Sequence, residues 1–336
     1  MNNKNKKILL DCTLRDGGYY NNWHFDKKLV QNYLNSIKKS GIKVVEIGFR
    51  FLKKEKFLGE FAYSSEKFIN SLNLPSEIKY AVMINAKEFI GNEDLLKKYF
   101  IKSNLSRIKI VRIAVNISDY FLCKKICLYL KKNGYIIGLN LMQSHDLQKK
   151  DYRKISLDIN GWGLVDVLYF ADSLGCMNDQ EIKLISRTLV DNFKGSVGIH
   201  AHNNKNLALS NTLVAIKEGV NWFDSTITGM GRGAGNTATE HLSIECNLKK
   251  ILKLNSSELI SCVSDFSEIK KKYNWGSNIF YHLGAISKIH PTYIQNMLAD
   301  IKYRKKDYET ILKSLANEDA KKFNPHKLFL SSNIYN

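Results

Sequence analysis

Eight short apolar runs, each followed by a longer stretch with helical spacing, constrain the fold of this chain more than any other feature. The runs are residues 7–12, 44–49, 80–84, 108–115, 136–142, 165–171, 196–201 and 222–227. They are rich in β-branched residues and almost continuously apolar, as parallel strands covered on both faces must be. The stretches between them read as helices at 27–40, 95–103, 120–133, 178–193 and 206–218. Gly41, Gly134, Gly195 and Gly219 follow four of these, where a helix commonly ends. Eight βα units at this spacing predict an α/β fold, a (β/α)8 TIM barrel rather than an open doubly wound sheet. No G-x-G-x-x-G follows the first run, which argues against a dinucleotide fold.

The pattern changes after residue 254. Helical spacing continues at 256–273, 293–298 and 307–316 without further strands. The expected layout is a catalytic barrel over 1–254 and a C-terminal helical extension over 255–336. Its last stretch, 323–336, is expected to be loosely ordered.

Composition closes off other classes. With 44% hydrophobic residues, 16 Phe and 17 Tyr the chain can build a core, so it is not disordered. No apolar run approaches the ~18 residues of a membrane span. The polar, basic start stops short of an export signal, so a cytoplasmic protein is expected. The six cysteines form no C-x-x-C pair and are expected to be reduced thiols. The net charge is +19, but the lysines fall in scattered pairs that read as solvated helix faces. Without an arginine-rich or aromatic-interleaved patch, nucleic acid is not the expected partner.

In a barrel of this kind chemistry belongs at the C-terminal strand ends. The first strand ends in Asp11-Cys-Thr-Leu-Arg15-Asp16-Gly17. The seventh carries His200-Ala-His202-Asn203, whose period of two points both imidazoles the same way. After the eighth, Gly233-Ala-Gly235-Asn236 can bring an amide oxygen close. Two histidines with a carboxylate from a neighbouring strand make a donor set for a divalent metal. A structural ion pair of Asp11 with Arg15 is the plainer alternative for the first segment.

Together these segments resemble the DRE-TIM metallolyase superfamily, which includes hydroxymethylglutaryl-CoA lyase, the isopropylmalate and homocitrate synthases and 4-hydroxy-2-oxovalerate aldolase. Val45-Glu46-Ile-Gly48-Phe49, Ala171-Asp172-Ser173-Leu-Gly175 and Gly229-Met-Gly231 with Asn236 and Glu240 match in the same order. The resemblance implies a divalent metal held by Asp11, His200, His202 and Asn236. Manganese is the leading ion, with magnesium, zinc and cobalt as alternatives. It implies Arg15 beside an enolate oxygen, Asp16 orienting it, and Glu46, Asp172, Ser173 and Arg112 as substrate contacts. The substrates would be a 2-oxo acid and an aldehyde or acyl donor.

The layout fits the aldolase branch more closely than the others. That branch carries an acid–base histidine two residues after its D-G, where this chain has Tyr19. His24, a little downstream, and Tyr19 or Tyr20 are the candidates for that role. An acyl-CoA-dependent synthase is the second reading, although 336 residues leave no room for the synthases' regulatory domain. A barrel that binds without turnover is the third. In the aldolases the C-terminal region docks a dehydrogenase, so such a partner, and self-association, are further expectations.

Overall fold

The structure, a computed structural model, describes residues 6–52 and 58–333. Eight parallel strands close a barrel in chain order: β1 Ile8–Asp11, β2 Val44–Phe49, β3 Lys79–Asn85, β4 Ile108–Asn116, β5 Ile136–Met142, β6 Val167–Asp172, β7 Ser196–Ala201 and β8 Trp222–Ser225. β8 returns to β1, with Ile8 opposite Trp222 and Asp11 opposite Ser225. The expected (β/α)8 barrel is the observed one.

Helices of eight residues or more are α1 Lys27–Ser40, α2 Lys124–Lys132, α3 Lys149–Trp162, α4 Asp179–Asn192, α5 Ala208–Lys217, α6 Thr239–Leu248, α7 Ile260–Tyr273, α8 Ile279–Ile286, α9 Pro291–Ala299, α10 Tyr308–Asn317 and α11 Pro325–Asn333. Local chemistry sets their ends. The Asp26 carboxylate accepts from the Lys28 and Leu29 amides to start α1, and Gly41 at φ 87° ends it. Asn178 and Glu181 form a capping box on α4.

Several segments depart from expectation, and α6 and α8 fall where no helix was expected. The helix expected at 95–103 shrinks to one turn, Leu96–Tyr99, because Phe100 goes extended. α3 was not anticipated: its buried face, Tyr152, Ile155 and Ile159, is sparse among charged residues. The stretch expected to be loose carries α11, held by Leu328 in an apolar cluster.

The barrel axis and the outer shell are separate apolar layers. Leu10 and Cys12 pack inward with Val44, Ala81 and Ile110. Strand alternation therefore turns Leu9 and Asp11 outward, towards the helices. Beyond the barrel, α7 lies on α1, where the Phe266 and Tyr33 rings are 6.1 Å apart. Its Cys262 and Phe266, with Trp275, join the barrel's own cluster. α8 to α11 build a second cluster around Tyr293, Met297, Ile311 and Leu315. Ala234, from the loop after β8, belongs to that second cluster. The C-terminal helices thus pack on the strand-end side where the site lies. Among the described residues no helix is long and apolar enough to cross a membrane.

Candidate active site

Alternation along the strands carries charge into the barrel. Glu46, Arg112 and Asp224 stand two residues beyond Val44, Ile110 and Trp222, which line the axis, and all three are buried. The Glu46 carboxylate accepts from Arg15 Nε at 2.6 Å and from Arg112 Nη1 at 3.1 Å. The other side of the Arg112 guanidinium reaches Asp224 Oδ2 at 2.5 Å, and its plane lies 4.2 Å from the Tyr169 ring centre. The same Asp224 oxygen meets His200 Nδ1 at 2.9 Å. His200 Nε2 lies 3.4 Å from Asp16 Oδ2, and Asp16 Oδ1 accepts from Arg15. Six side chains thus close a circuit: His200, Asp224, Arg112, Glu46, Arg15 and Asp16.

The circuit sets protonation. Burial alone would raise the Asp16 carboxyl, but Arg15 and His200 outweigh it and hold it well below the usual range. Asp224 is likewise held down against burial by Arg112 and His200. Burial works against a charged His200, yet its bonds to Asp16 and Asp224 carry its pKa upward. His202 goes the other way, down to about 3, through burial and the neighbouring His200. It is therefore neutral near pH 7, with Nδ1 at 2.9 Å from the Asp172 carbonyl oxygen.

These contacts gather donors that could hold a metal ion. Asp16, His200 and His202 bring a carboxylate oxygen and two imidazole nitrogens within 4.8 Å of one another. Each imidazole engages an outer partner through Nδ1, Asp224 for His200 and the Asp172 carbonyl for His202. The His202 Nε2 is then left for a cation, and the His200 Nε2 faces Asp16 Oδ2 at 3.4 Å, the carboxylate oxygen a shared cation would join. Asn236 donates to Asp16 Oδ2, while its own Oδ1 is buried and without a partner. Cys12, His200 and Asp224 cluster as closely. There burial pushes the Cys12 thiol well up, it donates to the Ser225 carbonyl, and Asp224 is committed to Arg112, so this second group is a poorer site.

The expected residues divide accordingly. Arg15, Asp16, Glu46, His200, His202 and Asn236 come together. Asp11 does not join them. It faces outward, and its carboxylate accepts from Thr13, Tyr33 and Thr239, which leaves Asp16 as the carboxylate beside the histidines. Arg112 is buried beneath the site as an ion-pair partner and not exposed to a substrate. The Asp172 carboxylate accepts the Cys176 and Met177 amides of its own loop, and burial lifts its pKa to about 7. Ser173 Oγ accepts the Gln143 amide at 3.0 Å. His24 lies elsewhere. Left-handed residues Asn22 and Trp23 reverse the chain, so the Trp23 indole donates to the Arg15 carbonyl while His24 lines an outer groove with Phe25, Phe61 and Phe68. Tyr20 donates to the Gly233 carbonyl at 2.6 Å. Tyr19 stays at the mouth, its ring 5.1 Å from the Arg232 guanidinium, its phenol pKa raised by burial.

Sequence reading missed Asp224 and Arg232, whereas His290, with Tyr281 and His282, was a candidate to cover the barrel mouth. A lone carboxylate in the apolar run Trp222-Phe223-Asp224 was a signal for the first. Arg232 stands on the loop after β8, where sequence gave no sign that it turns towards Tyr19.

Comparison with known proteins follows the same lines. Residues 100–270 match the model of the HMGL-like family. A 4-hydroxy-2-oxovalerate aldolase of Roseiflexus castenholzii is 28% identical over 253 residues, covering 71% of this chain and 70% of its own. An oxaloacetate decarboxylase of Mycobacterium tuberculosis is 26% identical over 238 residues, covering 70% and 68%. The crystal structure of the N-terminal domain of a candidate aldolase from Bacteroides vulgatus is 29% identical, with a TM-score of 0.80 over 87% of this chain and 96% of that one.

Proposed function

The chain belongs to the HMGL-like family, within the DRE-TIM metallolyases, and is a metal-dependent carbon–carbon lyase; from that premise we propose that it is an aldolase working through the enolate of pyruvate or a close 2-oxo acid. In the cleavage direction the bond between C3 and C4 of a 4-hydroxy-2-oxo acid breaks. The 4-hydroxyl loses its proton and becomes an aldehyde carbonyl, and the bonding electrons pass to the 2-oxo acid as its enolate. Protonation at C3 then gives the free acid. Loss of carbon dioxide from oxaloacetate breaks the equivalent bond and leaves the same enolate, so both relatives' names agree with this intermediate.

Asp16, His200 and His202 would hold the metal, with Asn236 Oδ1 as a further donor. Mixed oxygen and imidazole donors suit manganese, and also magnesium, zinc and cobalt. Bound there, the ion supplies Lewis acidity towards the keto and carboxylate oxygens of the acid. Arg15 carries the reading. Its guanidinium is fixed between the Asp16 and Glu46 carboxylates, beside the metal donors, and needs no reorganisation to meet an enolate oxygen as charge develops. Glu46, Arg112 and Asp224 keep Arg15 and His200 in place. Tyr19, a protonated phenol at the mouth, serves as the proton donor in place of His24.

The test is solvent deuterium exchange into the methyl group of pyruvate, followed by NMR with manganese and with chelator. Metal-dependent exchange in the wild type, lost in Arg15→Ala, supports the proposal. Exchange that survives Arg15→Ala refutes the role of Arg15, and no exchange in the wild type refutes the pyruvate enolate.

A further inference from the structure

Arg15, Arg50 and Arg112 are the buried arginines, and each holds a carboxylate. Arg232 is partly buried and among the described residues pairs with none. Its Nε is sealed from solvent and has no hydrogen-bond partner. An uncompensated guanidinium is costly beside a water-excluding site, so its position calls for an anion.

The loop fixes where that anion would sit. Gly233 is held by Tyr20 on its carbonyl and Gln295 on its amide, and Asn204 takes the Ala234 amide. Gly231 approaches so closely that a Cβ there would lie 2.3 Å from Asn236 Nδ2 and 3.0 Å from Asp16 Oδ2. Arg232 is the next residue, ~3.8 Å along the chain. Its guanidinium is thus anchored within a small molecule's length of the metal donors. Its surroundings offer donors and a ring face. It lies 5.1 Å from the Tyr19 ring centre. His290, at the start of α9, accepts the Thr292 amide at Nδ1, which leaves Nε2 to carry the proton. Burial, with Arg232 and His202 close by, keeps His290 neutral near pH 7.

We infer that Arg232, with Tyr19 and His290, selects an aldehyde that carries an anionic end, a carboxylate or a phosphate. This rests on the aldolase reading, in which the 2-oxo acid's own carboxylate is taken up on the metal side. Arg232 thereby becomes a specificity residue for the second substrate.

The test condenses pyruvate with succinic semialdehyde, glyceraldehyde 3-phosphate and butanal, using the manganese-loaded wild type, Arg232→Ala and Arg232→Lys. A charged hydrogen bond predicts at least ~10-fold higher kcat/KM for one of the charged aldehydes than for butanal. Which of the two is preferred identifies the headgroup. Arg232→Ala should remove that preference through the aldehyde KM, and Arg232→Lys should restore part of it, a point charge lacking the planar fork. Equal use of charged and uncharged aldehydes by the wild type overturns the inference. So does a rise in pyruvate KM, or a fall in pyruvate methyl exchange, that matches the loss on the charged aldehyde. If the wild type exchanges no pyruvate protons, the aldolase reading fails, and succinate and inorganic phosphate are titrated calorimetrically instead. Binding of either that is lost in Arg232→Ala then upholds the anion site, and binding unchanged by the substitution, or none, overturns it.

Discussion

Replacing Arg112 by methionine tests whether the buried circuit is held by charge. Arg112 is wholly buried, with Glu46 Oε2 at 3.1 Å and Asp224 Oδ2 at 2.5 Å. Methionine replaces the apolar stem of the arginine but not the guanidinium at its end, so the loss is chiefly electrostatic. Removing one partner of a buried pair costs ~3–5 kcal/mol, because a charge is left uncompensated. Here two carboxylates lose a partner, but Glu46 keeps Arg15 and Asp224 keeps His200. The lower end, about 3 kcal/mol, is therefore expected. At ~2–4 °C per kcal/mol for chains of ~150–250 residues, and somewhat less for a longer one, Tm should fall by several degrees. Urea unfolding followed by circular dichroism and by fluorescence gives the comparison, provided the two transitions coincide. The sign with pH is fixed. Asp224 is depressed in the native state, so it contributes stability above its unfolded pKa that is lost as pH falls through the folded value. The variant lacks that contribution, so its deficit should be greatest near neutrality and shrink as pH falls below ~4, towards the folded value. Adding Asp224→Asn should cost less than the sum of the two single changes, with a coupling of ~1–3 kcal/mol. A deficit under ~1 kcal/mol at pH 7, or strict additivity, would refute the reasoning.

Other outcomes follow from the same geometry. His202→Ala and Asp16→Asn should abolish uptake of added manganese as measured by mass spectrometry, whereas Asp11→Asn should leave uptake intact and lower Tm by loosening its bonds to Thr13, Tyr33 and Thr239. Asp224→Asn should weaken manganese affinity by ~10–100-fold, the effect of losing an outer partner of a metal-bound histidine. Arg15→Ala should keep its metal and lose ~10²–10³ in kcat. Gly235→Ala should abolish activity and disturb the loop, because φ is 86° and a Cβ would lie 1.9 Å from the Gly229 carbonyl oxygen; a crystal structure with the loop unchanged would contradict this. His24→Ala should leave the pH–rate profile as it was, since its side chain lines the outer groove.

The barrel was legible because its strands are nearly unbroken apolar runs, and β2 and β5 and β7 fall on the residues expected. α3 was not, since three buried apolar residues in fourteen leave a faint period. Both histidines of the site could be read because alternation along one strand already places them together. The choice between Asp11 and Asp16 could not. It depends on β1 ending at Asp11, so that its carboxylate stays on the outer face and the following turn delivers Asp16. Arg112 showed itself only as a charge in an apolar strand, a signal that does not tell ion-pair partner from ligand contact. His24 was placed by two left-handed residues that carry no glycine to announce them.

The closed circuit beneath the metal donors has a bearing on how such a site can change over generations. Each of its six members answers to two others, contributed by β2, β4, β7, β8 and the turn after β1. A single replacement leaves two buried neighbours each with one partner fewer, a deficit that a second replacement at one of those neighbours can offset. Arg232 and His290 lie outside that arrangement, on a loop and a helix cap. Substrate range can therefore drift at the mouth while the chemistry below it is locked by mutual dependence.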